Sequence, residues 1–320
     1  MKKERVEMFL KKFKDNKLLG VSCLAISILF LITVFGLVKF RNCKFNYLFH
    51  TTGSFIKQAT MQEPINKESY PSKLSMFQAH MDLVSKFNHE TTTSDKPFKY
   101  RLGQLEINFL SYSMLHSLVA EIFMQKAYFF ETNKEKPFVI DCGSNIGMAT
   151  LFFKSLYPKA KILAFEPAGE NFKILSQNIK DNNLENITLY NKAVSSQKGH
   201  ATFYQAGALE GSLQTPSLHP NKETVRTTIL SKYVNQEVDL LKIDIEGAEL
   251  NVLEELAGKD KLKFVKQIIL EYHPHAQNNS LSKILKVFED NNFKFMISSN
   301  VNTPFKQNKL DLNLIYAHQS

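Results

Sequence analysis

Three acids, Asp244, Glu246 and Glu249, crowd the run Lys242-Ile243-Asp244-Ile245-Glu246-Gly247-Ala248-Glu249. Acids at the start of a helix are favourable against its dipole, which accounts for Glu249. That does not account for Asp244, which lies within an otherwise apolar strand-like run where an idle carboxylate is costly to bury. Lys242 is either its counter-charge or faces the other side. Further along, Glu271-Tyr272-His273 ends another apolar run. His273 or Asp244 would serve as proton acceptor for an attacking hydroxyl, given a pKa near working pH. Alternatively, Asp244, Glu246 and Glu271 would hold Mg²⁺ that acidifies the hydroxyl. The catalytic expectation is Asp244, His273 and Glu246, with no resident metal.

A second group has binding chemistry. Asp141-Cys142-Gly143-Ser144-Asn145-Ile146-Gly147 places an acid before a glycine turn. Glycines allow a tight turn and a close approach to a ligand, and the helix start behind them offers free N–H groups. The pyrophosphate-cradling G-x-G-x-x-G spacing is absent. The acid instead suits a cation, and Asp141 is read as holding the ammonium of an amino acid moiety. Glu166, at the end of the next strand-like run, can accept hydrogen bonds from both hydroxyls of a ribose. A cationic amino acid joined to an adenosine is S-adenosylmethionine, the expected cofactor.

Alternating strand-like and helix-like runs must position these groups. Strands are expected over 105–109, 138–141, 161–166, 187–190, 238–245 and 265–272. Helices are expected over 73–87, 114–126, 148–156, 169–182, 248–256 and 281–291. Runs 293–297 and 312–317 would close the sheet as an antiparallel pair. Strands separated by helices imply an α/β, mostly parallel, doubly wound sheet. Such sheets bind ligands beyond the carboxyl ends of their strands. Substrate contacts are expected from loop 207–220 and residues near 275–280.

At this point the chain resembles the FkbM-type methyltransferases, a family of S-adenosylmethionine-dependent enzymes. The matching stretches are FVIDCGSNIG (138–147), AFEPAGENFKILSQNI (164–179), NKAV (191–194), DLLKIDIEGAE (239–249) and ILEYH (269–273). The resemblance implies a Rossmann-like class I methyltransferase fold with an antiparallel final strand. It also implies O-methylation of a hydroxyl, often on a sugar or a secreted small molecule. By position, Asp141, Gly143, Asn145, Gly147 and Glu166 match the family's cofactor-binding positions. Cys142 departs from the family's usual Ile or Val, and its side chain is expected to face the core.

Composition bounds the rest. Three cysteines exclude a disulfide framework. The net charge of +9 is concentrated in residues 1–44, which hold ten Lys/Arg and three Asp/Glu, so the body is nearly neutral and lacks a nucleic-acid signature. Residues 18–38 have no charge. At about 1.5 Å per residue they match the roughly 30 Å hydrocarbon core. Seven basic residues precede this run and three follow closely. That asymmetry predicts a signal anchor in the membrane lipid with a cytoplasmic N-terminus and a lumenal body in the ER or Golgi. The expected organisation is a basic tail (1–17), a transmembrane helix (18–40), a stem (41–96) and a methyltransferase domain (97–320). The partner would be a hydroxyl-bearing small molecule or glycan. Two rivals are an NAD-dependent short-chain oxidoreductase, lacking here its G-x-G-x-x-G, and a catalytically inactive methyltransferase-like scaffold.

Overall fold

The structure is a computed structural model. It describes residues 68–89, 97–206, 210–213, 221–274, 279–299 and 313–319, which all belong to one compact unit, Ser54–Ser320. The apolar run 18–38 lies outside the described residues. No described helix is long and apolar enough to cross a membrane.

The described chain starts with α1 (Lys73–His89). Ser72 caps it, its Oγ accepting from the Ser75 N–H at 3.1 Å. Strands β1 (Phe98–Leu102) and β2 (Leu105–Phe109) pair as an antiparallel hairpin. Only β2 is foreshadowed by the sequence. Ser111 caps α2 (Tyr112–Leu118), and a π-helical turn (Val119–Met124) continues it. The single helix expected over 114–126 is therefore two geometries in series.

From β3 (Phe138–Cys142) onward strands and helices alternate. They are α3 (Met148–Leu156), β4 (Lys161–Phe165), α4 (Gly169–Asp181), β5 (Ile187–Tyr190), β6 (Ala193–Val194), β7 (Gly199–Ala206), β8 (Glu210–Ser212), β9 (Asn221–Thr228), β10 (Leu240–Ile243), α5 (Glu249–Gly258), β11 (Gln267–Tyr272), α6 (Leu281–Asp290), β12 (Phe293–Ser299) and β13 (Asn313–Gln319). Seven of the strands form one sheet in the order β12-β13-β11-β10-β3-β4-β5. Strands β11, β10, β3, β4 and β5 run parallel; β13 is antiparallel to both β11 and β12. This is the Rossmann-like, mostly parallel sheet expected from the sequence. Its order reverses between β3 and β10, the switch point at which such sheets bind ligands.

Strand alternation sorts the side chains onto two faces. Phe138, Ile140 and Cys142 pack with Ile243, Leu253 and Phe288 on one face, so Cys142 is buried in the core as expected. Val139, Leu240 and Ile269 pack on the other with residues of α1 and α3. Asp141, Lys242 and Glu271 share the parity of this second set. The fold therefore directs them to one side of the sheet.

Three differences from the sequence reading matter for the site. First, the helix inside the expected stem is part of the domain: Met76, Ala79 and Leu83 of α1 are buried with Phe109, Phe123 and Phe152. Second, β10 ends at Ile243, before Asp244. The Asp244 N–H still bonds Cys142 O at 3.1 Å, but Glu246 and Gly247 then take positive φ (+55° and +107°) and turn the chain out of the sheet. Third, β6, β7, β8 and β9 form a separate four-stranded sheet in the order β6-β9-β7-β8. It has a small core of Ala168, Ala193, Phe203 and Val225. The expected substrate loop 207–220 thus contains strand β8; 207–209 and 214–220 lie outside the described residues, as do 275–278.

Candidate active site

The glycine loop leaves β3 and crosses the carboxyl end of β4. Gly143 and Ser144 donate N–H bonds to Phe165 O at 3.0 and 2.9 Å. Gly143 has φ +80°, and a Cβ there would lie 1.8 Å from the Asp244 carbonyl oxygen. Backbone from two strand ends meets at this point, so no side chain fits. Gly147 has φ +93°, where a Cβ would meet the Leu175 side chain at 2.7 Å. Asn145 is left-handed too, with φ +48°.

Glu166 closes the other wall. Its Oε2 accepts from the Asn145 N–H at 2.8 Å and its Oε1 from the Ala168 N–H at 2.9 Å. Burial pushes its carboxyl up to about 7, against those two bonds, which favour the ionised form. Asn191 supports the loop beneath, donating to Glu166 O and Pro167 O at 3.0 and 2.9 Å. Gly143, Asn145, Glu166, Lys192, Phe203 and Asp244 are among the residues lining a cleft of about 600 Å³. The second sheet thus provides part of its wall through Phe203.

Asp141, expected to meet an ammonium, lines no described cavity. Its side chain is fully buried behind the glycine loop. One oxygen accepts from the Thr150 hydroxyl at 2.8 Å, and the other faces Lys242 Nζ at 3.5 Å. Register explains the pairing, because Lys242 lies directly opposite Asp141 on the neighbouring strand. Lys242 Nζ also donates to Gly143 O at 2.7 Å and meets Asp244 at 3.1 Å. This lysine is the counter-charge left open by the sequence. Burial alone would discharge it, but Asp244 and Asp141 outweigh burial and hold its pKa up. From this position it ties the glycine loop to both acids.

Beyond Lys242 lies a cluster of carboxylates. Burial would raise the Asp244 carboxyl, but Lys242 and His273 outweigh it and keep the group below its ordinary range. Burial pushes the carboxyls of Glu246 and Glu121 up to about 8 and raises that of Glu271. The Tyr128 hydroxyl faces Asp244 and Glu271 at 3.2 and 3.3 Å. Glu121, Tyr128, Lys242, Asp244, Glu246 and Glu271 help line a second cavity of about 790 Å³. Asn145, Asp244 and Glu246 line both cavities, so the two meet there.

His273 sits behind this cluster and lines neither cavity. Its Nδ1 is 2.9 Å from the buried Glu249. Its Nε2 faces Glu246, Glu271 and Asp244 at 3.4, 3.5 and 4.0 Å. Burial favours the neutral ring, but bonds to Glu249 and Glu271 and the surrounding charge hold its pKa well above the ordinary value. An imidazolium has no lone pair with which to accept a proton. His273 is thus placed as a counter-charge to the surrounding carboxylates. Among the described residues, Asp244, Glu246 and His273 each offer an atom within 4.8 Å of the others, spacing that a metal could use.

Sequence reasoning missed Glu121 and Tyr128. Glu121 does carry a signal, an acid inside the apolar run Val119-Ala120-Glu121-Ile122-Phe123, the same anomaly that marks Asp244. Tyr128 carries none, because only the fold brings it across to β10.

Comparison with known proteins finds similarity to methyltransferases. Residues 141–295 match the family model described as Methyltransferase FkbM domain. The chain is 28% identical over 218 residues to Methyltransferase sdnD of Sordaria araneosa, covering 57% of this chain and 81% of that one. It is 29% identical over 158 residues to Methyltransferase 1 of Beauveria bassiana, covering 42% and 64%. It is 26% identical over 160 residues to 2-O-methyltransferase NoeI of Sinorhizobium fredii, covering 43% and 64%. The chain therefore spans less than two thirds of the latter two relatives. The glycine loop and the strand-end acids Glu166, Asp244 and Glu271 fall within residues 141–295, the stretch that is similar to the Methyltransferase FkbM domain.

Proposed function

We propose that this protein transfers a methyl group from S-adenosylmethionine to a hydroxyl of a glycan or small molecule. The observation that carries the reading is the meeting of two cavities at Asn145, Asp244 and Glu246. One cavity is a glycine-walled cleft with a carboxylate at its far end; the other is open for an acceptor. The residues fit the cofactor. Gly143 leaves open the space where a Cβ would collide with the Asp244 carbonyl oxygen. Each Glu166 oxygen has one backbone bond and a lone pair left for a ribose hydroxyl. The carboxylate-rich end suits the cationic amino acid portion, with Asp244 and Glu246 in reach of it. Asp141 supports that end indirectly through Lys242.

When bound, the cofactor supplies an electrophilic methyl on a sulfonium, already a good leaving group. The protein then needs chiefly to align the nucleophile. Asp244, fixed by Lys242, stands at the junction of the two cavities and orients the acceptor. Hydroxyl acceptors are favoured by the name of NoeI, a 2-O-methyltransferase. We place the body of the protein in the ER or Golgi lumen, held by residues 18–38, on the basic flanks described above.

Titration calorimetry with S-adenosylmethionine and with NAD decides the cofactor, since the oxidoreductase rival predicts binding of NAD alone. Labelled S-adenosylmethionine offered with a panel of glycans, lipids and small alcohols then decides activity. A protein that binds the cofactor and labels nothing would favour the scaffold reading.

A further inference from the structure

We propose that Glu121 is the proton acceptor for the attacking hydroxyl, an assignment that rests on the methyl-transfer reading above. Three observations converge on it. Glu121 lines the acceptor cavity together with Asp244 and Glu271. It sits in the π-helical turn Val119–Met124, whose wide winding is visible in the Gln125 N–H to Ala120 O bond at 2.9 Å. Such turns recur at functional sites. Residues 117, 118, 121 and 122 all face the cavity, so the turn aims Glu121 inward while Val119 and Phe123 are buried in the core.

The third observation is a carboxylate oxygen with nothing to bind. Among the described residues lining this cavity, Glu121 alone has a buried side-chain oxygen, Oε1, without a hydrogen-bond partner. The other acids there are engaged. Asp244 faces Lys242 and Tyr128; Glu271 faces Tyr128 and His273; Glu246 faces His273. Buried polar atoms are seldom left unpaired without a reason, and an incoming hydroxyl is the natural donor to Oε1.

The electrostatics suit that role. Burial, then Glu271 and Asp244, push the Glu121 carboxyl up to about 8, while Lys242 and Tyr128 pull the other way. Tyr316 of β13 is the further titratable group that senses it. A carboxylate with that affinity for a proton is a far better acceptor than an ordinary one. A sulfonium arriving nearby favours the ionised form and readies it. In the step, the hydroxyl oxygen forms its bond to the methyl carbon. The carbon–sulfur bond breaks and leaves its electron pair on sulfur, which becomes neutral. The hydroxyl proton passes to Glu121, which also becomes neutral and later loses that proton to solvent. One positive and one negative charge disappear together.

The test needs no acceptor. S-adenosylmethionine and S-adenosylhomocysteine differ by the sulfonium charge. Calorimetry of each, at pH 7.5 in two buffers of different ionisation enthalpy, counts the protons released. The wild-type protein should release more with the sulfonium ligand, by a few tenths of a proton. Glu121→Gln, close in shape to the protonated acid, should lose most of that excess while its affinity stays within about threefold. Glu121→Asp should keep part of it, and covers the case in which the glutamine variant folds poorly. With any acceptor in hand, Glu121→Gln should lower turnover by about 10²–10⁴-fold and lose the rising limb of the pH profile. Undiminished proton release in Glu121→Gln would overturn this assignment alone. A wild-type protein that binds no S-adenosylmethionine would overturn the cofactor reading and this one with it.

Discussion

Two glycines in one loop make the sharpest contrast at the residue scale. A methyl at position 143 would strike backbone, the Asp244 carbonyl, which cannot move without shifting the end of β10. A methyl at 147 would strike the far end of the Leu175 side chain, which can turn away. Both substitutions also strain a positive φ, at roughly 1–3 kcal/mol each. Gly143→Ala should therefore cost clearly more stability than Gly147→Ala and abolish cofactor binding, as read by urea unfolding and calorimetry. Equal losses for the two would contradict the close contact with Asp244. Glu166 is a different case, since its carboxylate both braces the loop and faces the cleft. Glu166→Ala should weaken S-adenosylmethionine binding by roughly ten- to hundred-fold, as expected when hydrogen bonds to a charged partner are lost. Because its carboxyl is pushed up to about 7, wild-type affinity should fall as pH drops below that value. The Glu166→Gln variant should lack that pH dependence. Affinity unchanged in Glu166→Ala would remove the ribose assignment.

At the scale of elements, α1 is the surprise. Polar, Pro-containing surroundings read as a stem, yet Leu83 and Val84 are almost wholly buried. Truncating Leu83 to Ala should destabilise the domain by about 2–5 kcal/mol, the range for buried leucines. A protein that starts at residue 97 should be insoluble or molten, whereas one that starts at 68 should unfold cooperatively. A well-folded 97–320 fragment would show α1 to be dispensable. The π-helical turn is the other element whose geometry matters more than its type. In the sequence it reads as plain helix, because apolar periodicity over one turn does not distinguish α from π winding.

For the whole molecule, acid should act partly through one histidine pair. His80 of α1 and His116 of α2 are buried with their rings 3.2 Å apart at the nearest nitrogens. Burial, then the nearness of His116, hold His80 to about 4, against 6.5 for an ordinary imidazole. The folded pKa is depressed, so the unfolded chain takes up the proton first. Stability should be fully present above pH 6.5 and fall progressively from there toward pH 4. Urea unfolding across that range should show less of this loss in His80→Gln than in wild type. The membrane expectation also belongs to this scale. Full-length protein should stay in the pellet after alkaline carbonate washing, and sealed microsomes should protect residues 41–320 from protease. Recovery in the supernatant would refute the anchor, and digestion without detergent would place the domain in the cytosol.

The sequence by itself determined the strands of the seven-stranded sheet, most of the helices that flank them, and which loops hold the chemistry. Strand-forming runs separated by amphipathic helices leave few arrangements other than a parallel sheet, and the acids at 166, 244 and 271 sit at or beside strand ends in register with the glycine loop. The family resemblance was legible for the same reason, since its motifs are local. Only the tertiary structure decided what each acid does. Asp141 and Lys242 are far apart in sequence, and the pairing of β3 with β10 turns them into a buried ion pair. His273 reads as a free loop base in the sequence, but in the fold four carboxylates from the turn after β10, from β11 and from the start of α5 surround it. Glu121 and Tyr128 enter the site from a segment before β3, the first strand of the seven-stranded sheet. Local sequence encodes periodicity and turn chemistry, whereas the charge on a buried group depends on neighbours that only folding brings together.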